Sequence, residues 1–297
     1  MNGRVSGEAR RTPDERFRDL SGFGFAPHYL EWEGLRLHFV DEGAGPPVVL
    51  FHGEPTWSFL YRKVIATLVA AGYRTIAPDY PGFGRSDKPV DPAFYSYDRH
   101  TAAMSAVIEH LGLEGATAVG QDWGGPIGLR LAVDLPGRFT RLAVLNTSLF
   151  TGPPAEGFLQ FRAFAARHED FPVGVLMRRS LADPSDEVIA GYEAPFPDAS
   201  YKTGVRRFPQ IVPTSPDDPG GDTLRRGEAA LGAWERPALV LFATADPIFS
   251  AEVGRRFAAA IPGAGPLETI DGAGHFLQED CGEEVGARLA AFLRRTD

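Results

Sequence analysis

The chain has 297 residues, 43% hydrophobic and 23% charged, with 39 acidic against 30 basic side chains and a net charge of −9. This composition excludes a disordered chain and leaves enough apolar surface for a core, while the acidic balance excludes a partner recognised through its phosphates, such as nucleic acid. The single cysteine, Cys281, excludes an internal disulfide and a multi-thiolate metal site, and the longest uncharged stretch, residues 142–155, contains Pro153 and Pro154 and is too short and broken to span a membrane.

The opening Met1-Asn2-Gly3-Arg4-Val5 leads into a polar arm in which arginines mix with Glu8, Asp14 and Glu15. It lacks the apolar segment of a secretory signal and is too acidic for a transit peptide, so the expected compartment is the cytoplasm. Residues 35–40 then alternate apolar and polar, the pattern of an exposed antiparallel edge strand. Short runs rich in Val, Leu and Ile follow at 47–51, 73–77, 116–119, 142–145, 238–242 and 267–270. Between most of them the spacing is helical, at 60–70, 101–111, 125–135 and 253–260. Continuous apolar strands alternating with helices predict a parallel sheet covered on both faces.

The alternation stops near Phe150 and resumes after Asp222. The intervening stretch is rich in proline and aromatic residues and has helical patches but no clear strand. It reads as a helical cap, residues 151–222, inserted into a core formed by 1–150 and 223–297. Ligands of open parallel sheets bind beyond the carboxyl ends of the strands, where such a cap would act as a lid.

The sharpest motif is Val119-Gly120-Gln121-Asp122-Trp123-Gly124-Gly125, which follows one predicted strand and opens a helix. It has the G-x-S-x-G form of a nucleophile elbow, with Asp122 in the serine position. An aspartate capping an ordinary helix is the simpler alternative. Two further residues argue for chemistry. Asp246 follows the strand 238–242, and His275 follows the strand 267–270 within Asp271-Gly272-Ala273-Gly274-His275-Phe276. The order Asp122, Asp246, His275 is nucleophile, acid, base, as in α/β-hydrolases. His28, His38, His100, His110 and His168 have no comparable context. After the strand 47–51 comes His52-Gly53-Glu54-Pro55-Thr56-Trp57, where a second oxyanion-hole amide is expected. The expected donors are the backbone amides of Glu54 and Trp123, with the His52 side chain bracing the loop.

Together these motifs resemble the haloalkane dehalogenase family of α/β-hydrolases, in the branch whose triad acid follows the seventh strand. The resemblance runs from Thr12-Pro13-Asp14-Glu15-Arg16-Phe17 through Gly82-Phe83-Gly84-Arg85-Ser86-Asp87-Lys88-Pro89 and Ala194-Pro195-Phe196-Pro197-Asp198 to His275-Phe276-Leu277-Gln278-Glu279. It implies an α/β-hydrolase fold: a mostly parallel eight-stranded sheet flanked by helices, with an inserted helical cap. In the other common branch an acid follows the sixth strand. Here Asn146 stands there and cannot carry the charge, which leaves Asp246 as the acid.

An aspartate nucleophile narrows the substrate. A carboxylate is ionised at neutral pH and needs no base to activate it. Attack on an acyl carbon would give an anhydride, whereas attack on a saturated carbon bearing a leaving group gives an ester that water can cleave. The expected reaction is hydrolytic dehalogenation of a small apolar haloalkane, with water as co-substrate and no cofactor. An epoxide opened by the same Asp122 is the second reading, and a non-catalytic binding member of the fold the third. No H-e-x-x-H metal motif and no dinucleotide or phosphate loop occurs.

The resemblance assigns the Trp123 indole to the halide. A halide leaves as a stable anion and needs donors without proton transfer, whereas an epoxide needs an acidic lid tyrosine, for which Tyr192 and Tyr201 are the candidates. The family's second halide-binding tryptophan has no counterpart, because Trp32, Trp57, Trp123 and Trp234 all lie outside the cap. Phe161 stands in its place, and Gln160 is the nearest alternative donor. Phe158, Phe161 and Phe164 recur every three residues and are expected, with Phe196 and Pro197, to line an apolar pocket. A monomer is the expected assembly.

Overall fold

The computed structural model describes residues 7–149, 154–215 and 217–296. The first six residues of the polar arm, the expected cap boundary at 150/151, Pro153 and Pro216 lie outside them. Eight strands form one sheet: β1 (His28–Trp32), β2 (Leu35–Glu42), β3 (Pro47–Phe51), β4 (Arg74–Pro78), β5 (Ala116–Gln121), β6 (Phe139–Leu145), β7 (Ala238–Ala243) and β8 (Glu268–Ile270). Their spatial order is β8-β7-β6-β5-β3-β4-β2-β1. From β4 to β8 every pairing is parallel, while β2 runs antiparallel to both β4 and β1. β5 and β7 are buried along their whole length, so they read as unbroken apolar runs rather than as alternation.

The exposed edge expected at 35–40 belongs instead to β1. β2 lies inside the sheet, with Leu35, Leu37, Phe39 and Val40 buried. Glu33 and Gly34 join the two strands at φ 51° and 87°, a two-residue hairpin that matches the strand twist. Its alternation misled because His38, a polar residue, is also buried: its Nδ1 lies 2.7 Å from the Asp79 carboxylate.

Helices cover both faces. α1 (Arg62–Ala70), α2 (Tyr97–His110), α3 (Gly124–Asp134), α9 (Ala251–Ala260), α10 (Leu277–Asp280) and α11 (Gly282–Thr296) belong to the core. α2 starts earlier than its apolar spacing suggested because Ser96 caps it, accepting from the Arg99 amide. α11 buries Val285, Leu289, Phe292 and Leu293, one stripe of an otherwise polar helix, which packs on α1.

Between β6 and β7 the described residues form helices and single 3₁₀ turns but no strand: α4 (Glu156–Arg167), α5 (Val173–Ser180), α6 (Asp186–Glu193), α7 (Thr203–Arg207) and α8 (Gly221–Leu231). Polar bonds fasten this segment to the core. The Trp57 indole donates to the Gly191 carbonyl at 3.0 Å, and Thr12 Oγ1 donates to the Pro195 carbonyl at 2.6 Å. Tyr192 Oη donates to Glu279 at 2.7 Å, and Glu279 is gripped by both arms of the Arg62 guanidinium. Arg62 and Glu279 are each 4% exposed. Removing one partner of such a pair strands the other charge in a low-dielectric interior. Glu279→Ala is therefore expected to cost about 3–5 kcal/mol of stability, read as a lower urea midpoint; an unchanged midpoint would mean that Arg62 finds another partner.

Candidate active site

The turn between β5 and α3 presents Asp122 at φ 51°, a left-handed conformation that few non-glycine residues adopt. Two kinds of restraint hold it there. Its amide donates to the Asn146 carbonyl at 3.0 Å, and its carbonyl accepts from Thr147 Oγ1 at 2.6 Å and from the Gly125 amide at 3.0 Å. The flanking glycines let the chain close. A Cβ at Gly120 would strike the Gly124 backbone, and one at Gly124 would strike the Phe51 carbonyl. No side chain fits at either position, so the G-x-D-x-G pattern is a steric requirement of the turn.

Asp122 Oδ1 accepts from the Glu54 amide at 2.9 Å, while Oδ2 faces His275 Nε2 at 3.7 Å. His275 Nδ1 lies 3.0 Å from Asp246 Oδ2, and the other Asp246 oxygen accepts from the Ile248 amide at 2.7 Å. The three residues named from chain order thus converge at the carboxyl ends of β5, β7 and β8. Asn146 contributes differently. Its side-chain amide donates to the carbonyls of Gly274 and His275 at 3.0 Å each, and its oxygen accepts from the Ala243 amide. It secures the loop of the histidine without touching the ring.

Electrostatics set the charges of the group. Burial works against a charged imidazole, but the hydrogen bonds of Asp122 and Asp246 outweigh it and raise the His275 pKa to about 9. The Glu54 carboxyl is pushed well above the usual carboxylate range, chiefly by burial and then by the charge of Asp122. Its Oε1 is buried without a hydrogen-bond partner. His52 is the opposite case to His275: burial lowers it to about 4. With Nδ1 2.9 Å from the Gly53 carbonyl and Nε2 accepting from the Tyr80 amide at 3.2 Å, it is a neutral brace of the loop.

Trp123 is the N-cap of α3 and is 3% exposed. Phe208 stacks on it, with centroids 4.8 Å apart and planes at 16°. Phe208 is the cap residue whose contact with this site is plainest, and spacing alone gave no reason to single it out, since it sits in a 3₁₀ turn. The expected pocket is only partly assembled. Phe158, Phe161 and Phe164 are half-buried on α4, and the last two both pack edge-on against Phe171 at 6.1 and 6.0 Å. Phe164 also stacks closely with His168 and lines a groove on the outer side of α4. Pro197 is exposed, against the expectation that it lines a pocket, while Phe196 is buried beside Lys88. Gln160 is exposed and donates to Glu156 one helical turn away, so it faces solvent rather than a halide. Tyr192 is fully buried against Phe59 and donates to Glu279, away from Asp122. Tyr201 is partly buried against the core.

Gln121 was passed over in the motif. It is fully buried, and its side-chain amide lies 3.2 Å from the His275 carbonyl and 3.1 Å from Nε2. Because the carbonyl can only accept, the NH₂ end must face it.

A family model described as the alpha/beta hydrolase fold matches residues 46–280. A haloalkane dehalogenase of Psychrobacter cryohalolentis is 46% identical over 295 residues, covering 95% of this chain and 97% of that one. A haloalkane dehalogenase of Mycolicibacterium paratuberculosis is 45% identical over the same shares. Among solved structures, the tetrameric haloalkane dehalogenase DpaA of Paraglaciecola agarilytica superposes with a TM-score of 0.87 at 38% identity, covering 95% of this chain and 97% of that one. With an aspartate in the elbow, its acid after β7 and its base after β8, the chain belongs to the haloalkane dehalogenase family of α/β-hydrolases.

Proposed function

We propose that the protein hydrolyses small haloalkanes to an alcohol, a halide ion and a proton through an ester on Asp122. Asp122 Oδ2 attacks the halogen-bearing carbon from behind. The new carbon–oxygen bond forms as the carbon–halogen pair departs with the halide, which the Trp123 indole N–H receives. Water then attacks the ester carbonyl, and His275 Nε2 takes its proton. The oxyanion gathers on Oδ1, which already accepts from the Glu54 amide and for which the Trp123 amide is the second expected donor, each such donor being worth about 3 kcal/mol. Collapse breaks the Cγ–Oδ2 bond, the departing oxygen takes back the proton held on His275 Nε2 to leave as the alcohol, and Asp122, now holding the oxygen of water, releases the remaining proton.

The observation that carries this function is the aspartate itself at the elbow, with one oxygen already on an oxyanion amide and the other turned to the histidine. The same geometry explains how the base is switched on. In the free protein the charges of Asp122 and Asp246 hold the His275 pKa at about 9. Esterification removes the Asp122 charge, which lowers the basicity of the ring and leaves it neutral when water must be deprotonated. The upward push on the Glu54 carboxyl, from burial and then from Asp122, works against a second negative charge beside the attacking carboxylate. The halide is favoured over an epoxide because Tyr192, the buried lid tyrosine, spends its hydroxyl on Glu279. A cytoplasmic monomer is the working unit we propose, although the Paraglaciecola relative is a tetramer.

The direct test is incubation with short bromoalkanes and, separately, styrene oxide: bromide and alcohol should appear, with no diol. A single turnover in heavy-oxygen water should label Asp122 and leave the alcohol unlabelled; label in the alcohol alone would refute the ester. His275→Gln should still be alkylated but not hydrolysed, so its intact mass should rise by the alkyl group of the substrate. Phe161→Trp adds an N–H donor where the family has one. A charge-assisted bond of about 1.5–3 kcal/mol corresponds to roughly ten- to a hundred-fold tighter bromide binding, measured by quenching of tryptophan fluorescence, and an unchanged affinity would place position 161 away from the halide.

A further inference from the structure

The imidazole of His275 is oriented by Asp246, but the backbone that carries it is held separately. Its segment, residues 271–276, is an irregular turn between β8 and α10, with Gly272 at φ 78°. Asn146 and Gln121, both at strand ends of the core, donate to its carbonyls. The Gly274 amide, next to the base, donates to Asp280 Oδ2 at 2.8 Å. The other oxygen of that carboxylate accepts from the Ala182 amide at 2.9 Å. Ala182 lies in the link between α5 and α6, inside the segment inserted between β6 and β7.

We propose that Asp280 is a positioning residue that ties the loop of His275 to the lid, so that the base is in place for hydrolysis only when the lid is seated. It rests on the two-step reaction proposed above. A carboxylate that accepts from two backbone amides fixes the distance between them more tightly than a neutral bridge, because both bonds are charge-assisted. A second contact runs parallel to it. Gly274 has no side chain, and a Cβ there would sit 3.5 Å from the Ser180 carbonyl, so the lid lies directly over the peptide beside the base. Glycine is also the residue most able to swivel once released. Losing the Asp280 bond frees the chain at Gly274, and the Nε2 of the next residue drifts from the line between water and the Asp122 ester. Alkylation needs no base and is unaffected.

The test is stopped-flow and quenched-flow kinetics with a bromoalkane on the full chain, following bromide and alcohol separately. For Asp280→Ala, the bromide burst should stay within about two-fold of wild type, while alcohol formation slows by about 10- to 100-fold, the loss typical of a base displaced by an ångström. The alkylated protein should accumulate and be visible by mass. Ala182→Pro removes the lid's donor and leaves the Gly274 bond. Leu181 before it is extended, at φ −95° and ψ 147°, as a residue preceding proline must be. It should slow the same step by a smaller factor, and it carries the test alone if Asp280→Ala does not fold. A merely structural role would slow both steps together or neither, and either result overturns the tie between lid and base. No bromide from the wild-type protein would instead overturn the dehalogenation itself, and the tie with it.

Discussion

Asp122 sits in a backbone conformation that costs an L-residue about 1–3 kcal/mol, and much of the surrounding structure exists to hold it there. β6 delivers the Asn146 carbonyl and the Thr147 hydroxyl, which bond the two ends of the aspartate. β3 delivers the Phe51 carbonyl, against which Gly124 closes without a side chain. Parallel strands bring these groups level, since Gly120 pairs with Phe51 on one side and Val144 on the other. The strained turn lifts one carboxylate above the sheet, at the positive end of α3, where a negative charge is favoured.

Several buried acids lie close together behind and around that carboxylate, and their neighbours give each a different state. Asp79 accepts amides from Ser58 and Arg85 and lies against the His38 ring; His38 above all, then His52 and the Arg85 amide, overcome its burial and hold its carboxyl at about 2. Glu54 has no such donors on its carboxyl and is driven toward neutrality. Asp246 divides its oxygens between the Ile248 amide and His275. Burial thus has opposite outcomes at two neighbouring acids, overcome at Asp79 by its partners and unopposed at Glu54.

The segment over the strand ends is part of this arrangement, not a passive cover. Phe208 stacks on Trp123, Tyr192 reaches Glu279 three residues beyond the His275 turn, and Asp280 joins that turn to the α5–α6 link. The phenylalanine at 161 departs from the family's pattern of two tryptophans. Its ring edge is only weakly positive, so such a site would hold a halide less firmly and release it sooner.

By itself the sequence determined the alternation of strands and helices from Pro47 onward and singled out Asp122, Asp246 and His275, which the structure brings together. All of these rest on local causes: apolar runs buried on both faces, glycines that a tight turn demands, and acids and a histidine at strand ends. The hairpin edge at β1, the buried state of His38 and the start of α2 at Ser96 were less legible, because neighbours across the sheet or a single cap decided them. Only the tertiary structure decided which face of α4 meets the core, that Pro197 and Gln160 point outward, and that Phe208 lies on Trp123. It alone gave Asn146, Gln121 and Asp280 their partners. Asn146 and Gln121 reach the His275 loop across 128 to 154 positions and Asp280 reaches Ala182 across 98, and no periodicity within a segment records which distant surface it will meet.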